Sequence, residues 1–594
     1  MRECTIRTVV IGSGCAGLNA ADWLAALGEK DTAVVTEDLL GGTSRNTGSD
    51  KQTYYKLSLA GDDGDSVGDM AQTLLRGDVN GDTALCEAAN SARCFMKLAA
   101  LGVPFPMNEY GEYVGYRTDH DTRKRATSAG PLTSRYMTEA LERSVRERGV
   151  KIMNAVLAFR ILTDENGVTG LLCLDTARRD WLLIHCAHIV LCTGGPAMIY
   201  RDSVYPESQF GMSGMAFAAG AAGANLDCWQ YGLASVKFRW NVSGSYQQAL
   251  PRYISVDEKG VEREFLAEAL GPAEAVNRAF LKGYQWPFDP RRANGSSFVD
   301  ILVKQEEDAG RRVYLDYTHD PAGFDPDMLS EEARGYLINC GAVRALPIDR
   351  LRAINAPAIE LYRSHGIDLA VQPLEVRVCA QHHNGGIAVD ADWQTRVPGL
   401  YACGEAAGTF GRYRPGGTAL NSAQVGSMRA AEHIARQSKR QPCETAQAVL
   451  PLLPRGDAAA MIRRAQDDMT RYAAFQRDAA GIRGMLARIG QILQDVAEAS
   501  LEDPQLTERI RLADMLTTQR EVLSAMLNSL EHDTEEGVLI TLHGQSGRVP
   551  ARPLPRRDLW FERVWSAYRR QAEQQKNEAS QASCSQQMKT KKIP

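Results

Sequence analysis

Residues 8–17 read Thr-Val-Val-Ile-Gly-Ser-Gly-Cys-Ala-Gly, which is a short apolar strand that leads into a glycine turn. A helical pattern over 19–27 and a second strand pattern over 32–36 follow it. The start of such a helix offers unpaired N–H groups to a pyrophosphate, and glycines let the backbone come close to it. Glycine-rich loops also occur as plain turns, but the strand and helix on either side favour a dinucleotide site. Its expected phosphate-binding residues are Gly12, Gly14, Ala16 and Gly17.

An acidic residue follows the second strand at the expected distance. Glu37 lies 20 residues after Gly17. In dinucleotide-binding folds a carboxylate at this spacing accepts hydrogen bonds from the ribose diol. The alternative is a solvated charge at the end of a strand.

Composition and charge exclude several classes of protein. The chain has 594 residues, of which 44% are hydrophobic, and a net charge of -5. This charge gives no electrostatic reason to bind nucleic acid or anionic membranes. No apolar run approaches the ~20 residues of a membrane span, and the first strand leaves no room for a leader segment ahead of it. We therefore expect a cytoplasmic protein.

The cysteines indicate a reducing compartment and no metal centre. The 13 cysteines are scattered without Cys-x-x-Cys spacing, so neither a disulfide framework nor c-type haem is expected. An iron–sulfur cluster or a structural zinc would need grouped ligands. Any electron carrier beyond the bound dinucleotide should therefore be a separate molecule.

Changes in pattern along the chain suggest its organisation. We expect the first part of a dinucleotide-binding domain over 1–234, with a β-meander at about 151–190, and an inserted domain over 235–351. The second part of the dinucleotide-binding domain should cover 352–440 and a helical domain 441–570. Residues 571–594 are rich in Gln, Ser and Lys, which favours disorder.

Six different short motifs follow the glycine turn along the chain. They occupy 41–44, 191–195, 313–319, 385–387, 399–405 and 414–420. With these motifs the chain resembles the flavoprotein subunits of succinate dehydrogenase and fumarate reductase, together with L-aspartate oxidase, as far as about residue 530. The resemblance implies an α/β fold: a doubly wound, Rossmann-like FAD-binding domain with an inserted α+β capping domain and a C-terminal helical domain. It also implies FAD and hydride transfer between flavin N5 and a substrate carbon.

The resemblance assigns further cofactor contacts. Gly42, Thr43 and Ser44 would pass beside the flavin ring, and Thr193 with Gly194 would form a second close backbone approach. Glu405 would bond the ribitol hydroxyls, with a helix cap as its alternative role. The helix that starts with Thr418, Ala419 and Leu420 would direct its N-terminus at the pyrimidine edge of the flavin, where it stabilises negative charge. Family members with covalent FAD use a histidine after the second strand, but no histidine precedes His120, so we expect noncovalent FAD.

The substrate site matches the family only in part. Arg414 matches an arginine that grips a substrate carboxylate, although it could instead pair with a nearby acid. The family histidine before Gly-Gly is shifted here, which makes His382 or His383 a candidate for anion binding or proton transfer; a turn histidine that bonds only backbone is the alternative.

At two positions this chain lacks the functional side chain that the family has. Gly232 stands where the family has a carboxylate-binding histidine, and 247–251 reads Gln-Gln-Ala-Leu-Pro where the family has its catalytic arginine. Arg252 is close enough in sequence to replace that arginine. These departures leave open which small acid is the substrate.

The sequence therefore predicts an FAD-dependent oxidoreductase that reduces a C=C bond conjugated to a carboxylate, or that catalyses the reverse reaction. One alternative is a flavin subunit like that of adenylylsulfate reductase, with a separate ferredoxin-like partner. Another is a noncatalytic flavin electron carrier, and an oxidase like L-aspartate oxidase is also open.

Overall fold

The computed structural model describes residues 1–61, 64–118, 121–343, 346–437, 440–443, 449–532, 535–556 and 558–590. Met1–Arg552 forms one compact unit, and Pro553–Pro594 forms a second. Each unit is described by itself.

The strands, in chain order, are β1 Arg2–Thr5, β2 Thr8–Ile11, β3 Thr32–Val35, β4 Tyr54–Tyr55, β5 Ala126–Thr127, β6 Lys151–Met153, β7 Val156–Asp164, β8 Gly167–Asp175, β9 Asp180–His185, β10 His188–Leu191, β11 Gly223–Ala224, β12 Trp229–Ser235, β13 Trp240–Asn241, β14 Arg252–Val256, β15 Glu262–Arg263, β16 Arg312–Asp316, β17 Leu374–His383, β18 Gly386–Ile387, β19 Leu400–Ala402, β20 Leu452–Pro454, β21 Val496–Glu498, β22 Val538–Leu542 and β23 Gln545–Val549.

The α-helices are α1 Cys15–Ala26, α2 Thr43–Asn46, α3 Val67–Leu74, α4 Gly81–Ala100, α5 Thr133–Glu147, α6 Gly214–Ala218, α7 Ser245–Gln248, α8 Phe265–Leu270, α9 Pro272–Lys282, α10 Phe298–Asp308, α11 Glu331–Asn339, α12 Pro347–Ser364, α13 Thr418–Arg436, α14 Ala458–Tyr472, α15 Ala479–Gln494, α16 Leu506–Glu531 and α17 Phe561–Thr590.

A five-stranded parallel sheet forms the centre of the first unit. Its strand order is β19-β10-β2-β3-β6, and Val10 of β2 pairs with Val190 on one side and Val34 on the other. Strands β2, β3, β10 and β19 are buried along their whole length, as expected where helices cover a parallel sheet on both faces. Asn19 of α1 donates to the Gln424 carbonyl of α13 at 3.0 Å, which ties two of these helices together. The predicted doubly wound α/β fold is confirmed.

The region expected to form a β-meander, at about 151–190, contains the strands β6 to β10. Strands β7, β8 and β9 form a separate antiparallel sheet, and β1 adds to it in parallel through β9. Only the flanking strands β6 and β10 belong to the central sheet. All nine residues of β8, which lies between β9 and β7, are buried. This sheet therefore has a packed interior although it is separate from the central sheet.

The inserted region contains a six-stranded antiparallel sheet with the order β13-β12-β17-β16-β14-β15. Of its strands, β17 lies outside the expected limits of 235–351, and β12 lies outside them except for Ser235. Strand β17 carries Gln381 and His382, which line the cavity described below, so this sheet connects the inserted region to the site. We call residues 235–351 the capping region; its boundaries stay a prediction.

The region after 441 is helical, as expected, and also supplies the hairpin β22–β23, which extends a sheet with β11 and β18. The expected disorder of 571–594 is corrected in part, because α17 continues to Thr590. Gln, Glu, Ala and Lys are favourable helix formers, which explains the helix; 591–594 lie outside the described residues. Within the described ranges, we find no helix with the length and hydropathy to cross a bilayer.

Candidate active site

A cavity of about 620 Å³ lies at the carboxyl ends of the central strands. Its walls come from both parts of the expected dinucleotide-binding domain and from the capping region. The lining segments are 11–16, 35–38, 41–44, 47–53, 116–118, 156–158, 192–194, 204–205, 208–212, 241, 243–244, 248, 283–284, 286, 381–382, 403–405, 414, 416–417, 419–420 and 423, together with Ser134.

The glycine turn forms the floor of one end of this cavity. Gly12 has φ +107°, and a Cβ at this position would lie 2.4 Å from the Cys192 carbonyl oxygen. A Cβ at Gly17 would lie 1.9 Å from the Gly12 carbonyl oxygen, so Gly17 permits the turn to pack and does not itself line the cavity. Helix α1 begins at Cys15 with no side-chain cap. Its first turn therefore has N–H groups to offer to an anion.

Glu37 lines the same end of the cavity. Its carboxylate forms an ion pair with Arg511 of α16, and the Arg511 guanidinium lies 4.4 Å above the Phe210 ring. Glu37 is therefore held in an ion pair, and it is not the freely solvated charge of the alternative interpretation. Sequence reasoning missed Arg511, because α16 lies almost 500 residues after Glu37 and carries no motif.

Two buried hydroxyls face the cavity without a partner in the described part of the chain. They are Thr43 Oγ1 and Thr193 Oγ1. Between them, Gln209 accepts from the Thr43 N–H at 3.3 Å and donates to the Thr193 carbonyl. Buried polar groups normally have hydrogen-bond partners, so this wall fits a polar ligand. Gln209 stands outside any motif, and sequence reasoning missed it.

Glu405 lies in the middle of the cavity wall. It accepts from the Tyr205 hydroxyl and from the His383 N–H, the latter at 2.8 Å. Burial raises the pKa of this carboxyl to about 7. A carboxyl group of this kind can exchange its protein partners for ligand hydroxyls, which is the role expected of it.

The start of α13 borders the far end of the cavity. Gly417 has φ +90° immediately before the helix, and Ala419 and Leu420 line the cavity. Thr418 is buried behind this surface, where its hydroxyl donates to the Pro415 carbonyl at 2.8 Å and accepts from Arg414 at 3.2 Å. Thr418 therefore supports Arg414, and it does not line the cavity.

Arg414 is a buried cation held by neutral groups. It is 5% exposed, and its Nε and Nη2 donate to Gln230 Oε1 at 3.0 and 2.6 Å. No carboxylate of the described residues lies within 4.0 Å of its guanidinium. Burial lowers its pKa to about 10, so the group stays charged at neutral pH. The alternative in which Arg414 pairs with a nearby acid is not seen.

His382 and His383 lie on opposite sides of β17. His382 lines the cavity and places Nδ1 3.0 Å from Asn384 Oδ1. Asn384 donates its amide to the Gly411 carbonyl at 2.8 Å, so its oxygen must face the histidine. Nδ1 therefore carries the proton, and the buried Nε2 presents a lone pair. Nε2 has no hydrogen-bond partner among the described residues and lies 3.8 Å from Glu405 Oε1. Burial, followed by the charge of Arg414, holds the pKa of His382 well below its usual range.

His383 points away from the cavity. Its ring stacks on Trp229 with centroids 4.0 Å apart, and its Nε2 lies 3.2 Å from the Leu226 carbonyl. Burial lowers the pKa of His383 to about 3. Of the two candidate histidines, only His382 is in the cavity.

Arg252 is not in the cavity either. It lies on β14, with Nη1 3.2 Å from Asp316 and Nε 3.1 Å from Glu264, and it also pairs with Glu262. The expected replacement of the family arginine by Arg252 is therefore corrected. Three carboxylates already satisfy its guanidinium, and the strand that carries it faces another part of the capping region.

The cavity fits FAD. A close glycine turn, a carboxylate at its ribose end, unpartnered hydroxyls and a helix N-terminus follow one another along its walls. The segment 41–53, which runs beside the far end, contains no histidine, so no residue there could attach the cofactor covalently.

Comparisons with known proteins agree with this geometry. The family model described as FAD binding domain matches residues 7–420. L-aspartate oxidase from Mesorhizobium japonicum is 28% identical over 467 residues, which are 75% of this chain and 78% of that protein.

Two solved structures share the fold over nearly the whole chain. Mycobacterium smegmatis Sdh1 in complex with UQ1 has a TM-score of 0.71 at 18% identity and covers 94% of this chain and 96% of its own. Adenylylsulfate reductase from Archaeoglobus fulgidus has a TM-score of 0.62 at 16% identity, over 94% and 97% of the two chains. The chain thus belongs to the FAD binding domain family and is an FAD-dependent oxidoreductase with noncovalent FAD, similar in sequence to L-aspartate oxidase and in fold to the flavoproteins of succinate dehydrogenase and fumarate reductase.

Proposed function

We propose that the protein transfers a hydride between FAD and a small organic acid, so that it reduces a C=C bond conjugated to a carboxylate or catalyses the reverse oxidation. The observation that carries this proposal is the buried charge of Arg414, which faces the cavity and has only neutral partners. A buried cation without a counter-ion is costly. A substrate carboxylate would supply that counter-ion through two charge-assisted hydrogen bonds.

His382 is the group we assign to proton exchange. Its Nε2 lone pair faces the cavity, while Nδ1 is fixed by Asn384. A carboxylate on Arg414 would neutralise the charge that helps to depress the pKa of His382. Substrate binding would therefore raise this pKa toward neutrality, where general acid–base catalysis is most efficient. The cofactor supplies the hydride chemistry, and the protein holds the acid and exchanges its proton.

An anaerobic reoxidation assay tests the proposal. The holoprotein is photoreduced and mixed with a panel of unsaturated acids, and the flavin absorbance at about 450 nm is followed. At least one acid should reoxidise the flavin, and Arg414→Met should lower that rate by about 100-fold, because it removes a charge-assisted pair worth roughly 3 kcal/mol.

Two other arginines provide matched controls. Arg412 pairs with Asp78 at 3.2 Å, and Arg252 lies in its own ion-pair cluster. Arg412→Met and Arg252→Met should keep the wild-type rate. The proposal fails if no acid reoxidises the flavin, or if Arg252→Met is the variant that loses activity.

A second candidate is the oxidation of an amino acid with oxygen as acceptor. The curated relative from Mesorhizobium japonicum is an L-aspartate oxidase, and the lone pair on His382 could take a proton from a substrate ammonium group. The protein is mixed in air with a panel of amino acids, and hydrogen peroxide is measured. Peroxide formed with any amino acid would support this candidate, and its absence with every amino acid tested would exclude it.

We keep two further alternatives. In one, the chain is a flavin subunit like that of adenylylsulfate reductase and transfers electrons with a separate ferredoxin-like protein; a sulfite adduct of the flavin that AMP reverses would favour it. In the other, the chain is a noncatalytic flavin electron carrier, and unchanged ligand responses in Arg414→Met would favour it.

We also propose that the protein works in the cytoplasm. The cysteine side chains of the described part of the chain are free thiols, as expected in a reducing compartment. Cell fractionation followed by immunoblotting of each fraction tests this location.

A further inference from the structure

The substrate end of the cavity departs from the family at position 232. A Cβ on Gly232 would lie 3.1 Å from Trp286 Cε3 and 3.5 Å from Gln381 Nε2, and both of these residues line the cavity. A Cβ there would also lie 3.1 Å from the Trp286 carbonyl oxygen. Trp286 and Gln381 therefore fill the space beside position 232 and leave little room for a larger side chain.

Among the described residues of the capping region, none that lines the cavity is a cation. The described lining residues of this region are Asn241, Ser243, Gly244, Gln248, Gly283, Tyr284 and Trp286, all of them uncharged. Gln381, which faces them from β17, is held by its amide on the carbonyls of Gly232 and Leu233 at 2.9 and 3.1 Å. A second carboxylate on the substrate would meet an indole and neutral amides here. Burying an anion without a cation is strongly unfavourable.

Two further cations, Lys51 and Arg117, line the cavity outside the capping region. Arg117 is exposed, so water screens its charge. Lys51 is half-buried, with its ammonium 5.6 Å from the centre of the Tyr116 ring. The Asp50 carboxyl is engaged by the Ser245 N–H and hydroxyl, both at 2.8 Å. Arg414 is thus the one buried cation that lines the described cavity.

We infer that the substrate is a monocarboxylate with a flat apolar group, such as an aryl 2-enoate, and not a dicarboxylate. This inference rests on the function proposed above. The carboxylate binds Arg414, and the aryl ring packs on Trp286 and Tyr284. In the reductive direction the C=C π bond breaks, the β-carbon takes the hydride of the reduced cofactor, and the α-carbon takes a proton. The cofactor is oxidised and the acid becomes saturated.

A binding titration of the oxidised holoprotein separates this inference from the proposed function. Saturated acids cannot be reduced, so they report binding alone through shifts of the flavin spectrum. We expect 3-phenylpropionate to bind at least about tenfold more tightly than succinate, because its ring gains aromatic contact while the second carboxylate of succinate loses hydration.

Variants at position 286 locate the effect. Trp286→Ala should weaken 3-phenylpropionate by about tenfold and change butyrate, which has no ring, by less than about twofold. Trp560→Ala, which changes an exposed indole in the second unit, should alter neither. Trp286→Phe should restore most of the affinity, and flavin content checks that each variant is folded.

Each outcome bears on one statement. If 3-phenylpropionate binds through Trp286, the inference stands. If succinate binds more tightly than 3-phenylpropionate, or if Trp286→Ala has no effect on 3-phenylpropionate, the inference is overturned while the proposed function survives. If no carboxylate perturbs the flavin in a manner that depends on Arg414, both fall.

Discussion

Gly12 and Gly14 stand two residues apart in one turn but tolerate a methyl group very differently. At Gly12 a Cβ would meet the backbone oxygen of Cys192 at 2.4 Å, at φ +107°. At Gly14, where φ is -75°, the nearest atom is the hydroxyl oxygen of Ser44 at 3.1 Å. A hydroxyl can rotate away, whereas the backbone that follows β10 cannot. The protein itself therefore requires glycine at position 12, whereas at position 14 the requirement comes from a ligand that approaches the backbone.

We predict that Gly12→Ala lowers the FAD content of the purified protein by at least about tenfold, because the left-handed turn and the close approach both depend on glycine. Gly14→Ala should also lower this content, because its Cβ would lie where the backbone approaches the pyrophosphate. Gly490→Ala on α15, where a Cβ would meet nothing within 4 Å, is the control and should retain its flavin. The ratio of absorbance at about 450 nm to that at 280 nm measures this content. Wild-type flavin content in Gly12→Ala would show that the turn does not bind the cofactor.

Glu87 is a second residue with a testable property. It is buried on α4, accepts from the Ser422 hydroxyl at 2.9 Å, and has one oxygen without a partner in the described residues. Burial raises its pKa to about 7 from the ordinary 4.5. Between these two values the folded state binds a proton that the unfolded state releases. The contribution of Glu87 to stability is therefore present below pH 4.5 and is lost as the pH rises through 7.

We predict that Glu87→Gln flattens the pH dependence of stability. The free energy of unfolding of the wild type should fall between pH 5 and 8 by up to about 3 kcal/mol relative to the variant. Urea unfolding at several pH values measures it. Glu139→Gln, which changes an exposed carboxylate on α5, should follow the wild type; a Glu87→Gln curve parallel to the wild type would contradict the raised pKa.

Among single residues, the sequence predicts those that belong to short motifs, but it does not predict those whose role depends on contacts between distant parts of the chain. The glycine turn, Glu405 and Arg414 were found because short motifs carry them. The choice between His382 and His383 depended on the pleat of β17, which adjacent residues alone do not reveal. Arg252 was misplaced because the three carboxylates around it come together only in the folded sheet.

Among the elements, the segment after α2 connects the flavin side of the cavity to the capping region. Its Gly48 carbonyl accepts from the Asn241 N–H at 3.0 Å. Two residues later, Asp50 holds the start of α7 through the Ser245 N–H and hydroxyl. A Cβ at Gly244 would lie 2.2 Å from this carboxylate. The capping region is thus bonded to the wall beside which the flavin ring is expected.

We predict that Asp50→Ala speeds the release of FAD, whereas Asp50→Asn, which keeps an acceptor oxygen, changes the rate by less. Hydrogen bonds to a carboxylate contribute roughly 1.5–3 kcal/mol each, so the alanine variant should release FAD about tenfold faster or more. The rise of free flavin fluorescence after dilution gives the rate. Similar rates for Ala and Asn would show that this contact does not hold the cap.

Strand and helix patterns predicted most elements because periodicity is local. The helix expected to start at residues 418–420 is α13, Thr418–Arg436. The strand expected over 32–36 is β3, Thr32–Val35. The pairing of β1 with β9 could not be predicted in this way, because it joins residues that lie almost 180 positions apart in the sequence.

At the scale of the whole molecule, the cavity draws its lining only from the first unit. No lining residue of the described chain lies beyond Ala423, and the second unit begins at Pro553. Arg552 belongs to the first unit, where it donates to Asp82 at 2.8 Å.

We predict that a chain ending after Leu554 keeps its flavin content, its reoxidation rate and its thermal transition within experimental error. Flavin absorbance, the anaerobic assay and circular dichroism measure the three quantities. A chain ending before Arg552 is the control and should be less stable, because it loses the contact with Asp82. Loss of flavin from the longer version would assign the second unit a role in the site.

The strand order of the central sheet also determines how the chain must fold as it is made. Four of its strands are complete by Leu191, but β19, which pairs with β10, begins only at Leu400. At about 5–20 residues per second, a ribosome needs roughly 10 to 40 s to deliver it. Throughout that interval the nascent protein carries an open strand edge, which is a template for wrong pairing. We expect the yield of this chain in a cell to depend on chaperones that cover the edge of β10 during synthesis.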